Sequence, residues 1–214
     1  MITLVDISAL FWANAYGGAE PMKGYELTIE KLQWYWQDSR RTIVCLDSPR
    51  SERKERNPEY KSQRKARPIP AIEALTGVIA RAVDWGMPVV MCDGHEADDV
   101  ICSLVAQTWP EEVRIIGCEK DFFCLLDERV TLVGKLGPIG VNDCREKFGV
   151  APSQMQDWLA LVGDASDCIP GCENCGPKRA SDLLERFGSL AGIKEATDEE
   201  ILSRFQTGEV GTGQ

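Results

Sequence analysis

The sequence predicts an α/β fold, a doubly wound, mainly parallel sheet carrying a small helical appendage, and three observations predict it. Short β-rich apolar runs alternate with longer segments of helical period through residues 1–150. These runs are continuously apolar rather than alternating, the pattern of parallel strands covered on both faces. Beyond residue 150 the alternation stops, and two helical segments flank a stretch rich in Gly, Pro and Asn.

Taken in order, strands are expected at Ile2–Val5, Thr42–Leu46, Pro88–Cys92, Val113–Ile116 and Val130–Val133. Helices are expected near Glu26–Gln37, Ala71–Trp85, Ala97–Thr108 and Asp121–Leu126; in the third, Ala97, Val100, Ile101, Leu104 and Val105 share one apolar face. In the appendage, residues 151–205, Ser153 and Gln156 have the spacing of a capping box. It opens a helix that buries Met155, Leu159 and Val162 and stops at Gly163. A second helix is expected from Pro177, with Ala180, Leu183, Leu184 and Phe187 inward and Gly188 as its stop. Residues 206–214, QTGEVGTGQ, read as a disordered tail.

The chain has 214 residues, 43% hydrophobic and 27% charged, which fits a globular domain and argues against a fibre or coiled coil. No apolar run reaches the roughly 18 residues of a membrane span, and MITLVDISAL meets Asp6 too soon for a signal peptide. Nine cysteines, an odd number scattered through apolar runs, suit thiols in a reducing cytoplasm. The formal net charge is −10, but it is unevenly spread: residues 50–67 carry a local balance of +5, leaving −15 on the rest. A basic segment set in an acidic body is the electrostatic footprint of a phosphate partner, and also of a solvated charged loop.

The acids are placed more informatively than the bases. In an open parallel sheet, ligands gather at the carboxyl ends of the strands. There the sequence puts Asp6, then Asp47, then Glu96, Asp98 and Asp99, then Glu119 and Asp121. Asp164 and Asp167 follow at the start of the long turn, spaced to face the same way. Carboxylates that converge raise one another's pKa unless a cation neutralises them. An all-oxygen donor set selects Mg²⁺ or Mn²⁺ rather than zinc. Two such ions about 4 Å apart suit the in-line displacement of a phosphodiester. For Glu96, Asp98 and Asp99 the alternative is an acidic first turn favoured by the helix dipole.

Five segments then complete the picture: VDISALF at 5–11, NPEYKSQRKARP at 57–68, GHEADDVI at 94–101, GCEKDFFCLL at 117–126 and GDASDCIPGCENCGPKRA at 163–180. In this order they resemble the structure-specific 5′-nucleases: phage 5′–3′ exonucleases, flap endonucleases and the 5′-nuclease domain of bacterial DNA polymerase I, especially compact bacterial or phage members. The resemblance implies a PIN-like sheet over residues 1–150, with an arch near 50–70, and a helix-three-turn-helix subdomain over 151–205. It implies a first metal at Asp6, Asp47, Glu96 and Asp98, supported by Asp99, a bridging pair at Glu119 and Asp121, and a second metal at Asp164 and Asp167. Glu119 departs from the family's usual Asp. Tyr60, Lys61 and Arg64 match the arch positions that stack a base and address the scissile phosphate, a sensible place for an aromatic platform and cations.

In the turn, Gly171 and Gly176 allow close approach of a phosphate, Asn174 stands where the family has Gly, and Pro177, Lys178 and Arg179 open a helix whose N-terminus attracts anions. Relatives hold K⁺ on backbone carbonyls matching Leu161, Val162, Pro170, Cys172 and Cys175. The spacing of Cys168, Cys172 and Cys175 also occurs in iron–sulfur radical enzymes, but those need a large barrel after the motif and only 39 residues follow Cys175. The function so implied is a Mg²⁺- or Mn²⁺-dependent 5′-nuclease acting on DNA flaps, ends or RNA-primed ends in replication or repair, as a cytoplasmic monomer with no membrane partner. A binding protein of the same fold without catalysis is the competing reading; acids at all nine positions argue against it.

Overall fold

The computed structural model describes residues 1–39, 41–117, 119–134, 137–197 and 199–201, so the tail expected at 206–214 lies outside the described residues. The elements in chain order are β1 (Ile2–Asp6), α1 (Ile7–Asn14), α2 (Pro21–Ser39), β2 (Thr42–Leu46), α3 (Glu52–Arg56), α4 (Ile69–Asp84), β3 (Val89–Met91), α5 (Ala97–Gln107), β4 (Val113–Ile116) and β5 (Val130–Gly134). They continue with β6 (Gly137–Ile139), α6 (Val141–Phe148), α7 (Met155–Val162), β7 (Gly163–Asp164), β8 (Ile169–Pro170), α8 (Pro177–Phe187) and α9 (Leu190–Glu195). The six-stranded sheet runs in the order β3-β2-β1-β4-β5-β6. β6 alone pairs antiparallel, and the topological switch falls at β1, whose neighbours β2 and β4 are both parallel to it.

Alternation along each strand feeds two cores. Ile2, Leu4, Cys45, Val113, Ile115, Val130 and Leu132 face α5 to α8 on one side. Val5, Val44 and Ile116 face α1, α2 and α4 on the other. Continuous apolar strands are therefore explained by cover on both faces.

Four expectations are corrected. The segment Asp121–Leu126 is a 3-10 helix over Lys120–Leu125. Helix α4 begins at Ile69, because Pro70 sits in its first turn, where a missing N–H costs nothing. Helix α7 is not opened by Ser153 and Gln156. A 3-10 turn, Pro152–Gln154, precedes it, and Gln154 Oε1 accepts from Ala151 N at 3.1 Å, one box earlier. Finally, α1, α3, α6, α9 and the short strands β6, β7 and β8 join the predicted elements.

Candidate metal centre and nucleic-acid interface

Asp6 ends β1 and caps α1, with Oδ1 accepting from Ala9 N at 2.9 Å. It is 4% exposed. Gly117, at φ +133°, ends β4 beside it; a Cβ there would lie 2.9 Å from that of Asp6, so glycine permits the close approach. Asp47 follows β2, and its Oδ1 accepts from Ala97 N at 3.0 Å, tying the end of β2 to the start of α5. Asp98 lies in the first turn of α5, and Asp99 Oδ2 accepts from Glu96 N at 3.0 Å.

Asp6, Asp47, Glu96, Asp98 and Glu119 line one open cavity of about 1330 Å³, together with Lys61 and Arg64. Burial, then repulsion from Asp47 and Glu119, pushes Asp6 up to about 7, against the Ala9 N–H that favours its charge. Burial, then Asp6, Glu119 and Glu96, pushes Asp98 up to about 8. Glu119 is also raised, by the protein packed round its carboxyl and by Asp121 and Asp167, with Lys61 and Arg64 opposing. Asp121 is raised by burial and by Asp164 and Asp167, with Lys120 opposing. Acids from four strand ends and from the appendage thus feel one another.

The other half of the cluster is neutralised from within the protein. Glu96 accepts from Lys61 Nζ at 2.8 Å, Tyr60 Oη at 2.9 Å and Arg53 Nη1. Although burial disfavours its charge, Lys61, Tyr60 and Arg53 hold Glu96 below the usual carboxylate range. Arg53 Nη2 also donates to Asp99 at 2.6 Å. Arg64 Nη2 donates to Asp167 at 2.6 Å, and Lys61 N donates to the Asp167 carbonyl at 3.2 Å. Lys120 Nζ lies 3.0 Å from Asp164, which also accepts from Ser166; against its burial these partners keep its carboxyl low. The basic segment is therefore closed down onto the acids. Lys61 itself adopts φ +55°, a left-handed conformation that turns the chain there.

Tyr60 differs from expectation. It is 6% exposed, its hydroxyl reaches Glu96 and Asp167, and Lys61 and Arg53 lie over its ring at 4.9 and 5.9 Å. In this conformation its ring is covered rather than offered to a base. Arg53 and Lys120 were not singled out by the sequence; Arg53 lay within the basic run, but its partners are more than 40 residues away.

Among the described residues no three acidic, imidazole or thiol donors stand close enough to share one ion. The cause is visible in the contacts: lysine and arginine hold Glu96, Asp99, Asp164 and Asp167. Asp6, buried, and Asp98, half-buried, by contrast lack a cationic partner in hydrogen-bonding contact, and the donor set is all carboxylate. That chemistry fits a hard divalent ion, once the second group turns from its basic partners.

Within the appendage, Asp164 and Asp167 are set by a two-residue antiparallel bridge, Gly163 opposite Pro170 and Asp164 opposite Ile169. A Cβ on Gly163 would lie 2.3 Å from Gly171 N, and one on Gly171 the same distance from the Val162 carbonyl, so both glycines are required by the crossing. Asn174 has φ +57°, a left-handed conformation that asparagine tolerates better than other non-glycine residues, and its carbonyl accepts from Arg179 at 2.6 Å. Gly176 caps α8 and Pro177 and Lys178 follow in its first turn. Of the carbonyls expected to face K⁺, Leu161 already accepts from Cys172 N at 2.8 Å and Cys172 from Cys175 N at 3.0 Å. Val162, Pro170 and Cys175 flank the same crossing. Among the described residues no helix is long and apolar enough to cross a membrane.

Comparison with known proteins places this architecture. Residues 4–149 match the 5′-3′ exonuclease N-terminal resolvase-like domain, and residues 150–209 match the 5′-3′ exonuclease C-terminal SAM fold. DNA polymerase I of Deinococcus radiodurans is 39% identical over 164 residues, covering 75% of this chain and 17% of the polymerase. A 5′-3′ exonuclease of Aquifex aeolicus is 34% identical over 159 residues, covering 71% of this chain and 54% of its own length. This chain thus spans from about a sixth to about half the length of these relatives. The crystal structure of bacteriophage T5 D15 flap endonuclease with DNA and metal ions has a TM-score of 0.74 at 22% identity, covering 95% of this chain and 83% of that one. The acids at the carboxyl rim and the glycine-crossed turn below them are thus set in matching domains along nearly the whole chain, which belongs to the 5′-3′ exonuclease family.

Proposed function

We propose that the chain is a divalent-metal-dependent 5′-nuclease that hydrolyses phosphodiesters at or near the 5′ end of a DNA strand, at flaps, nicks or RNA-primed ends, in replication or repair. The observation that carries this reading is the mutual electrostatic influence of acids drawn from four strand ends and from the appendage, beneath a basic segment. Bound Mg²⁺ or Mn²⁺ would supply Lewis-acid activation of water and neutralise the phosphate. Asp6, Asp47, Glu96 and Asp98, with Asp99 in support, would hold one ion, Asp164 and Asp167 another, with Glu119 and Asp121 between.

The chain's own residues then have defined work. When Glu96 and Asp167 turn to the ions, Lys61 and Arg64 are released toward the phosphate oxygens, where a cation stabilises charge that develops in the transition state. Tyr60, freed from the same carboxylates, becomes available to stack an unpaired base. The turn at Gly171, Asn174 and Gly176, with Pro177, Lys178 and Arg179 at the start of α8, holds the duplex through its phosphates without reading sequence, with K⁺ on the Leu161, Val162, Pro170, Cys172 and Cys175 carbonyls. The protein acts as a monomer in the cytoplasm, where its eight described cysteines remain thiols.

The test is cleavage of end-labelled flap, nicked and RNA–DNA hybrid substrates with and without Mg²⁺. Cutting near the 5′ end that requires Mg²⁺ is expected. Absence of cutting on every substrate would overturn the proposal.

A further inference from the structure

The thiols of the appendage, Cys168, Cys172 and Cys175, form a motif whose sulfurs the nuclease reading leaves unused. Among the described cysteines, Cys45 and Cys144 are buried, and the Cys124 thiol donates to the Asp121 carbonyl at 3.0 Å. Cys168 adopts φ +59°, and its sulfur lies 3.7 Å from Ser62 Oγ on the basic segment. Cys172 and Cys175 are instead joined by one turn. Cys172 is exposed, and Cys175 is half-buried against the core on the α5 to α8 side. Glu173 and Asn174 lie between them, and Cys175 N closes the turn by donating to the Cys172 carbonyl at 3.0 Å. Such a turn holds its end Cα atoms within about 7 Å, and a disulfide takes roughly 4.4–6.8 Å. The two thiols also feel each other: burial raises Cys175, the Cys172 charge adds to this, and Arg179 opposes it.

We propose that Cys172 and Cys175 are a redox-active dithiol, closed into a disulfide by a low-molecular-weight disulfide of the glutathione class, and that the closed turn holds duplex DNA less tightly. The second part rests on the nuclease reading above, in which this turn meets the phosphates. The exposed Cys172 thiolate, its proton lost to water, attacks one sulfur of the small disulfide; a mixed disulfide forms and one small thiolate leaves. The Cys175 thiolate, its proton likewise lost to water, then attacks the Cys172 sulfur, and the second small thiolate leaves. Both protons return to the leaving thiolates. The protein has given up two electrons and two protons, and the small disulfide has become two thiols. A half-buried Cys175 suits the second position, because attack within one turn is intramolecular. In a reducing compartment the dithiol is the resting form and the disulfide is transient. Closing it fixes the Cys172 carbonyl in its bond to Cys175 N and stiffens the segment between Gly171 and Gly176 that must settle on a phosphate.

The test starts from the reduced protein in EDTA and KCl, equilibrated with mixtures of glutathione and its disulfide, after which free thiols are blocked with N-ethylmaleimide. Trypsin releases residues 148–178, a peptide whose thiols are Cys168, Cys172 and Cys175 alone. From oxidising mixtures it should carry one maleimide, on Cys168, where the reduced sample carries three. Blunt-duplex binding by the same samples should weaken about tenfold and recover with dithiothreitol. Cys172→Ser and, separately, Cys172→Ala should lose this response to oxidant, each judged against its own reduced form, while Cys168→Ser keeps it. Three maleimides at every ratio, or glutathione left on Cys172, overturns the pair. A disulfide between Cys172 and Cys175 with unchanged duplex affinity overturns its control of binding. If the reduced wild type binds no DNA and cuts none in Mg²⁺, the nuclease reading has failed instead, and the peptide mass still decides the disulfide.

Discussion

The two halves of the carboxylate cluster solve one electrostatic problem in opposite ways. Asp6 is buried at the end of β1 and Asp98 is half-buried at the start of α5, neither with a cation in contact, and both are driven upward by desolvation and by their acidic neighbours. Glu96 and Asp164, although burial disfavours their charge, are held low, Glu96 by Lys61, Tyr60 and Arg53 and Asp164 by Ser166 and Lys120. The difference lies in what is within reach. The deep half is walled by strand ends and apolar cores, whereas the outer half faces the basic segment and the appendage. The lesson is that one half is left needing charge while the other carries an internal counter-charge that a substrate or ion must displace.

The sharpest way to break this comparison is to remove a deep acid. Asp98→Ala should reduce Mg²⁺-dependent cleavage of a 5′-overhanging duplex on the order of a thousandfold, while binding in EDTA persists. Wild-type cleavage by this variant would mean that the deep half holds no ion. Next in size, Lys61→Ala removes the central counter-charge of the outer half. Single-turnover cleavage should slow about a hundredfold. An unchanged rate would mean that Lys61 serves only to neutralise Glu96.

The deep half was also the more legible in the sequence. Asp6, Asp47, Asp98 and Glu119 were found because strands read as apolar runs and because acids past parallel strands meet on one rim. Glu96 and Asp167 were found too, but not their side-chain hydrogen bonds with Arg53, Lys61 and Arg64, which join residues 35 to 103 positions apart by packing alone. Helix α1 escaped notice because ISALFWAN is apolar all round, buried between β1 and α2, and so lacks an amphipathic period. Strand β6, the three residues GPI, is too short to carry a pattern. Tyr60 was expected to offer its ring to a base; its burial goes with hydroxyl partners contributed by other segments, Glu96 and Asp167.

Stability against pH should separate the halves by sign. A carboxyl raised in the folded state favours folding while it is protonated, and that contribution disappears as pH rises through the folded-state value. For Asp6 and Asp98 this window runs through about 7 and about 8. In EDTA the protein should therefore lose about 2 kcal/mol, or roughly 5 °C in Tm, between pH 6 and 9. Mg²⁺ should restore much of that loss by supplying the missing charge. A flat EDTA profile over this range would show that the deep acids are neutralised by some other means.

Lys120 provides the smallest effect and the opposite sign. Asp164 is held low, so its contribution is present above the unfolded-state value and is lost as pH falls through the ordinary carboxylate range and below it. Lys120→Ala removes one partner, but the Ser166 amide and hydroxyl remain at 2.9 and 2.7 Å and the pair is partly open to solvent. A cost of about 0.5 kcal/mol at pH 7 is expected, falling away as the carboxyl protonates in acid and shrinking with added salt. The same variant should leave the alkaline loss in EDTA unchanged, because Lys120 does not act on Asp6 or Asp98. If it altered that loss as well, the two halves would be one coupled unit, and the division between an acid pair awaiting charge and a pair already supplied would fail.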